Sequence, residues 1–218
     1  MLKAVVFDFD GTIYNSTHFV FLARKKYFKK FKIDFKKSDF KKYLATPTPD
    51  FVKLMNKKYN IKITVDGMRS FTRETYNKLI DNRYIPNPGI KKLIEELKKK
   101  KIRIAIASAN RREVIIYDLK KLGLNKYFKI IVSTEEIRNA KPAPDTYLLA
   151  AQKLKVSPSE CVGLEDGPNG ILGMKRAGFK SVAIITEFTK RNDFIEINPN
   201  IIVKSTKEIN LKRLQSLF

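Results

Sequence analysis

From Pro86 onward, short apolar runs alternate with stretches that carry apolar residues at helical spacing, and this alternation constrains the fold more than any other feature. The segment GIKKLIEELKKK sets Ile90, Leu93, Ile94 and Leu97 on one helical face. IRIAIAS comes next as a strand, then EVIIYDLKKLG as a helix closed by Gly123, and KIIVS as a second strand. Asp145 is placed to cap a helix over DTYLLAAQKL, CVGLED reads as a third strand, and NGILGMKRAG as a helix ending at Gly178. SVAIIT and IIVKS are further candidate strands, and Ala4 to Phe7 adds one at the start. Strands and helices in this rhythm build a parallel sheet covered on both faces, an α/β fold.

Between the first strand and Pro86 the rhythm stops. FVFLARKKYF, DFVKLMNKKY and DGMRSFTRETYNKLI read as helices, with TPTP as a loop. The chain then returns at YIPNPG, whose prolines and Gly89 suit a hinge and a helix start. The expected division is residues 1–15 and 86–218 in the sheet domain, with 16–85 as an inserted helical domain.

At 218 residues and 43% hydrophobic, the chain can bury a good core, which argues against global disorder. No apolar run approaches the ~18 residues that would span a bilayer, so the expectation is a cytoplasmic protein with no membrane partner. Cys161 is the only cysteine and reads as a small buried strand residue. The net charge of +23, from 45 Lys and Arg against 22 Asp and Glu, raises nucleic acid as a partner. The lysines are dispersed over RKKYFKKFKIDFKKSDFKK, KKYNIK and ELKKKKIR, and no nucleic-acid motif accompanies them. Solvated helix faces are the expected reading, although such a field still attracts phosphorylated small molecules.

Ligands of open parallel sheets bind at the carboxyl ends of the strands. The first strand runs out into Asp8, Asp10, Gly11 and Thr12; IRIAIA into Ser108, Ala109 and Asn110. KIIVS leads to Lys141 in NAKPAPD, and CVGL ends in Glu165, Asp166 and Gly167. Acids, a hydroxyl, an amide and a cation thus meet at one edge, describing an acidic metal site beside an anion site. Such a set suits phosphoryl transfer. Carboxylates from two chain positions can hold Mg²⁺, a spare carboxylate can attack phosphorus, and another can move the proton. Lys141, Ser108 and amides near Asn110 can neutralise the phosphoryl oxygens.

DFDGT, Ser108, Lys141 and GLEDGPNG, in this order, resemble the four motifs of the haloacid dehalogenase-like hydrolase superfamily, and they cover the chain from Met1 to about Thr186. KPAPD and EDGPNGILGMKRAG look like its β-phosphoglucomutase and phosphoglycolate phosphatase-like branch. The resemblance implies a Rossmann-like, doubly wound core with the helical insert as a cap. It implies Asp8 as nucleophile and Asp10 as general acid and base. Mg²⁺ would be held by Asp8, the Asp10 carbonyl and Asp166, with Glu165 reaching it through water. Ser108, Ala109, Asn110 and Lys141 would hold the phosphoryl group.

Gly167 stands where this branch commonly has serine, a change that leaves both acids in place. The mutases' Arg- and Ser-containing cap segment has no match in KKYLATPTPDFVKL. Substrate contacts in the cap are assigned to Thr46, Thr48 and Asp50, and His18 lies slightly before the place of a mutase cap histidine. The leading expectation is a monomeric, Mg²⁺-dependent phosphatase of a small phosphorylated metabolite. A β-phosphoglucomutase-type phosphotransferase and a basic nucleic-acid-associated protein on the same fold are the alternatives.

Overall fold

The computed structural model describes every residue except Ala45, Pro47 and Asn82. In chain order the elements are β1 (Ala4–Phe7), α1 (Ser16–Lys29), α2 (Lys37–Lys42), α3 (Thr48–Tyr59), α4 (Val65–Ile80), α5 (Ile90–Lys99), β2 (Arg103–Ala107) and α6 (Arg112–Lys121). Beyond these lie β3 (Ile131–Val132), α7 (Asp145–Leu154), β4 (Cys161–Glu165), α8 (Pro168–Arg176), β5 (Lys180–Ile184), α9 (Asn192–Ile195), β6 (Ile201–Val203) and α10 (Leu211–Gln215). The chain divides into two compact units, Met1–Asn15 with Tyr84–Phe218, and Ser16–Arg83.

The first unit is a six-stranded, all-parallel sheet in the order β3-β2-β1-β4-β5-β6. From the central β1 the chain winds outward to β3, then crosses to β4 and winds outward the other way. The order reverses between β1 and β4, and in such sheets ligands bind at the carboxyl ends of the strands at this switch point. Phe7 is in register with Ile106 on one side and Leu164 on the other. Every residue of β1 and β4 is buried, which is why β1 reads as an unbroken apolar run and β4 carries no polar side chain before Glu165. The stripe Ile90, Leu93, Ile94 and Leu97 of α5 is buried as its spacing predicts. Gly123 and Gly178 adopt positive φ, +67° and +82°, just beyond α6 and α8.

Some local expectations shift. KIIVS shortens to two paired residues at the sheet edge; at its carboxyl end the Ser133 N–H turns to the Glu136 carboxylate at 3.1 Å, which takes Ser133 out of the strand. Asp145 is the first residue of α7 and not its cap; its carboxylate accepts from the backbone and side-chain nitrogens of Asn139 at 3.2 and 3.1 Å.

The second unit is helical, with α1 packed along α4. Its core is aromatic: Phe28 stacks on Phe35 with centroids 4.7 Å apart, and Phe21, Phe40, Phe51 and Met55 complete it. Thr64 caps α4 by accepting from the Gly67 N–H at 3.1 Å. Asn56 closes the turn before it, bonding both the N–H and the C=O of Ile63 at 2.9 Å. α2 was not legible from periodicity. The TPTP segment is not wholly loop, since α3 begins at Thr48 and takes Pro49 and Asp50 into its first turn. Proline loses no hydrogen bond there. Pro47, in the same segment, lies outside the described residues. Among the described residues no helix is long and apolar enough to cross a membrane.

Candidate active site

β1 lies between β2 and β4, so the segments leaving these three strands stand side by side. Asp8, the first residue past β1, is buried, and its N–H donates to Leu164 C=O at 2.9 Å. The chain then turns tightly, with Gly11 N–H bonded to Tyr14 C=O at 2.9 Å. Gly11 has φ +82°, and a Cβ on it would lie 2.0 Å from Asp166 Oδ2. Only glycine lets the DFDGT turn approach the end of β4 this closely.

Lys141 gathers the site. Its Nζ donates to Asp8 Oδ1 at 2.6 Å, to Glu165 Oε2 at 2.8 Å and to Ala107 C=O at 3.2 Å. Three acceptors match the three protons of an ammonium group. Glu165 is fixed from other directions as well, accepting from Tyr147 OH at 2.6 Å on Oε2 and from Gly167 N–H at 3.1 Å on Oε1. Tyr147 is fully buried on α7, and the Lys141 ammonium lies 5.1 Å from its ring centroid. A Cβ on Gly170 would fall 1.8 Å from Glu165 Oε2, so the first turn of α8 is shaped around this carboxylate.

The electrostatics arise from burial. Asp8 is pushed up to about 8, first by burial and then by the charge of Glu165, with Lys141 pulling the other way. Asp166 is raised well above the carboxylate range by burial and by Glu165 and Asp8. Burial also opposes the charge on Lys141, but Asp8 and Glu165 outweigh it and hold the ammonium well above its ordinary value.

Asp8, Glu165 and Asp166 each offer an oxygen, all within 4.8 Å of one another. One ammonium does not balance three buried carboxylates. The donors are all oxygen, and their crowding is relieved by a hard divalent cation, so the residues fit such an ion.

The other residues singled out in the sequence fall in different places. The Asp10 carboxylate lies outside this triad and accepts from Asn110 Nδ2 at 3.2 Å. Ser108 is buried, and its Oγ accepts from Asn110 N–H at 3.0 Å, which leaves the hydroxyl proton to be donated. Ala109 is exposed. Thr46, Thr48, Asp50 and His18 belong to the helical unit. His18 lies on α1 with its ring edge-on to Phe19 at 5.5 Å, Thr46 precedes α3, and Thr48 and Asp50 are in its first turn.

Sequence reasoning missed Tyr147 and Asn87. Asn87 Nδ2 donates to Gly11 C=O at 2.7 Å and Thr12 C=O at 3.0 Å, while its N–H bonds Ile13 C=O at 2.7 Å, clamping the acidic turn. A polar residue between two prolines, and a hydroxyl within an otherwise apolar helix face, were the available signals.

Comparison with known proteins agrees with this architecture. Residues 5–184 match the haloacid dehalogenase-like hydrolase family. A phosphorylated carbohydrates phosphatase of Thermotoga maritima is 23% identical over 96% of this chain and 98% of its own length. A beta-phosphoglucomutase of Bacillus subtilis is 28% identical over 98% of this chain and 94% of its own. The crystal structure of beta-phosphoglucomutase from Clostridium difficile superposes with a TM-score of 0.82 at 27% identity, covering 99% of this chain and 96% of that one. With the match spanning every strand exit that carries the acids and the lysine, the chain belongs to the haloacid dehalogenase-like hydrolases.

Proposed function

We propose that the protein is a Mg²⁺-dependent phosphatase that hydrolyses small phosphorylated metabolites, such as sugar phosphates, through an aspartyl-phosphate at Asp8. The observation that carries this reading is the buried Asp8 carboxylate held at 2.6 Å by Lys141 inside a triad of acids at the carboxyl edge of the sheet. Full-length similarity to a phosphatase of phosphorylated carbohydrates supports it.

In this account Asp8, Asp166 and the Asp10 carbonyl hold the ion, with Glu165 reaching it through water. The ion supplies positive charge against the phosphoryl oxygens. Asp8 attacks phosphorus, and the bond from phosphorus to the ester oxygen breaks. Asp10, oriented by Asn110, gives its proton to the departing oxygen. Asp10 then takes a proton from the water that attacks the phosphorus of the aspartyl-phosphate. Inorganic phosphate leaves and the Asp8 carboxylate is restored. Lys141 and the Ser108 hydroxyl hold the phosphoryl oxygens as charge develops on them. Within this reading the helical unit is a cap whose Thr46, Thr48, Asp50 and His18 touch the leaving group. Replacing the segment 46–50 should then change the order of preference in a panel of sugar phosphates.

The likeness to a beta-phosphoglucomutase over nearly the whole chain favours a second reading, transfer of the phosphoryl group within a hexose phosphate. One incubation separates the two. With Mg²⁺ and β-glucose 1-phosphate, the phosphatase releases inorganic phosphate in amounts equal to the ester consumed, and chelation stops it. Glucose 6-phosphate accumulating with a bisphosphate activator, without free phosphate, would establish the mutase instead.

A further inference from the structure

Arg24 projects from α1 across two buried rings of the helical unit. Its guanidinium carbon lies 4.7 Å from the Phe51 centroid and 5.5 Å from that of Phe40. Its Nε is buried with no hydrogen-bond partner, and no acid among the described residues pairs with the group. Acids of the same unit are engaged elsewhere: Asp39 with Lys58 at 2.6 Å and Glu74 with Lys78 at 2.6 Å. Burial lowers the Arg24 guanidinium to about 10, which leaves it charged at neutral pH.

A desolvated cation without an anion is costly, and stacking on aromatic rings recovers only part of that cost. Leucine or methionine would cover Phe40 and Phe51 with no such penalty. Two rings within 5.5 Å of the guanidinium carbon also restrict where the donor fork can go, and such a planar fork suits two-point recognition of phosphate or carboxylate. The residue as a whole is half-buried, so part of the side chain stays open to solvent. Its two supporting rings lie on either side of the segment that carries Thr46. The unit as a whole holds eighteen Lys and Arg against six Asp and Glu, a field that concentrates anions.

We propose that Arg24, lying over Phe40 and Phe51, is an anion-binding site of the helical unit that takes a phosphate or carboxylate group on its guanidinium donors. The proposal does not depend on the phosphatase reading. The anion has two possible sources, a second acidic group on a substrate or free inorganic phosphate acting as an effector.

The test is a titration of the full-length protein with inorganic phosphate at constant ionic strength, tracking the arginine Nε–H signals by NMR. The Arg24 signal is assigned by its loss in Arg24→Lys. A saturable shift of that signal, retained in Lys25→Ala on the exposed part of the same helix, is expected. No shift, or an equal shift with chloride, overturns the site. Kinetics with Arg24→Met then assigns the source. A fall in kcat/KM of roughly tenfold to a hundredfold for phosphoglycolate, with 4-nitrophenyl phosphate within about twofold, assigns the anion to the substrate. Loss of a phosphate effect on 4-nitrophenyl phosphate hydrolysis assigns it to an effector. If neither ester is hydrolysed, the phosphatase reading falls, while the NMR titration still decides the anion site.

Discussion

At the scale of single residues, the site is a chain of shared protons and charges behind one carboxylate. Lys141 links Asp8 to Glu165, and Tyr147 donates its hydroxyl to the same Glu165 oxygen. Tyr147→Phe keeps the ring under Lys141 and removes only the hydroxyl. It should cost about 1 kcal/mol of stability and roughly threefold to tenfold in kcat, with KM little changed. Thermal melts and steady-state kinetics check both. Gly170→Ala is harsher, because its Cβ would overlap the Glu165 carboxylate. Activity should fall by at least an order of magnitude, with about 1–3 kcal/mol of destabilisation. Cys161 illustrates burial as the leading cause: its thiol is pushed up to about 12, first by burial and then by the charge of Glu160. Iodoacetamide at pH 8 should leave the folded protein unlabelled and modify one thiol per chain in denaturant, as read by mass spectrometry.

At the scale of elements, the strand exits were readable because a parallel sheet brings all its carboxyl ends to one edge. The residues past the apolar runs therefore pointed to Asp8, Ser108, Glu165 and Asp166, and to Lys141 beyond a short loop, without any coordinates. Strand order was not readable, since nothing in β1 or β4 says that the two are neighbours at the reversal. Tyr147 and Asn87 escaped for the same reason. Their partners, Glu165 and the Gly11–Thr12 turn, are 18 and 75 or more residues away, and only tertiary contact gives them meaning. α2, with the sequence KSDFKK, has a single buried residue and is too short to show a period. Asn87 ties the start of α5 to the acidic turn, so Asn87→Ala should lower stability by about 1–3 kcal/mol through unsatisfied carbonyls. Urea unfolding measures it. If stability is unchanged, the clamp contributes nothing.

At the scale of the whole molecule, the fold concentrates three carboxylates at the carboxyl edge of the sheet in a chain whose net charge is +23. Burial and mutual repulsion of these acids oppose folding until a cation joins them. Adding Mg²⁺ to chelator-treated protein should therefore raise the melting temperature by several degrees. Asp166→Asn should stabilise the metal-free protein and blunt that response, because burial and the neighbouring acids force the Asp166 carboxyl to take up a proton on folding and the neutral amide does not have to. A metal-free variant less stable than the metal-free parent would contradict this view of the triad.

The proposed mechanism turns on Asp8 as the nucleophile. The decisive measurement is the initial rate of 4-nitrophenyl phosphate hydrolysis with saturating Mg²⁺, in the parent and in Asp8→Asn. The amide keeps the size of the side chain but cannot form the aspartyl-phosphate, so the account predicts a loss of at least about a thousandfold. A variant that folds normally and hydrolyses the ester within tenfold of the parent would contradict it.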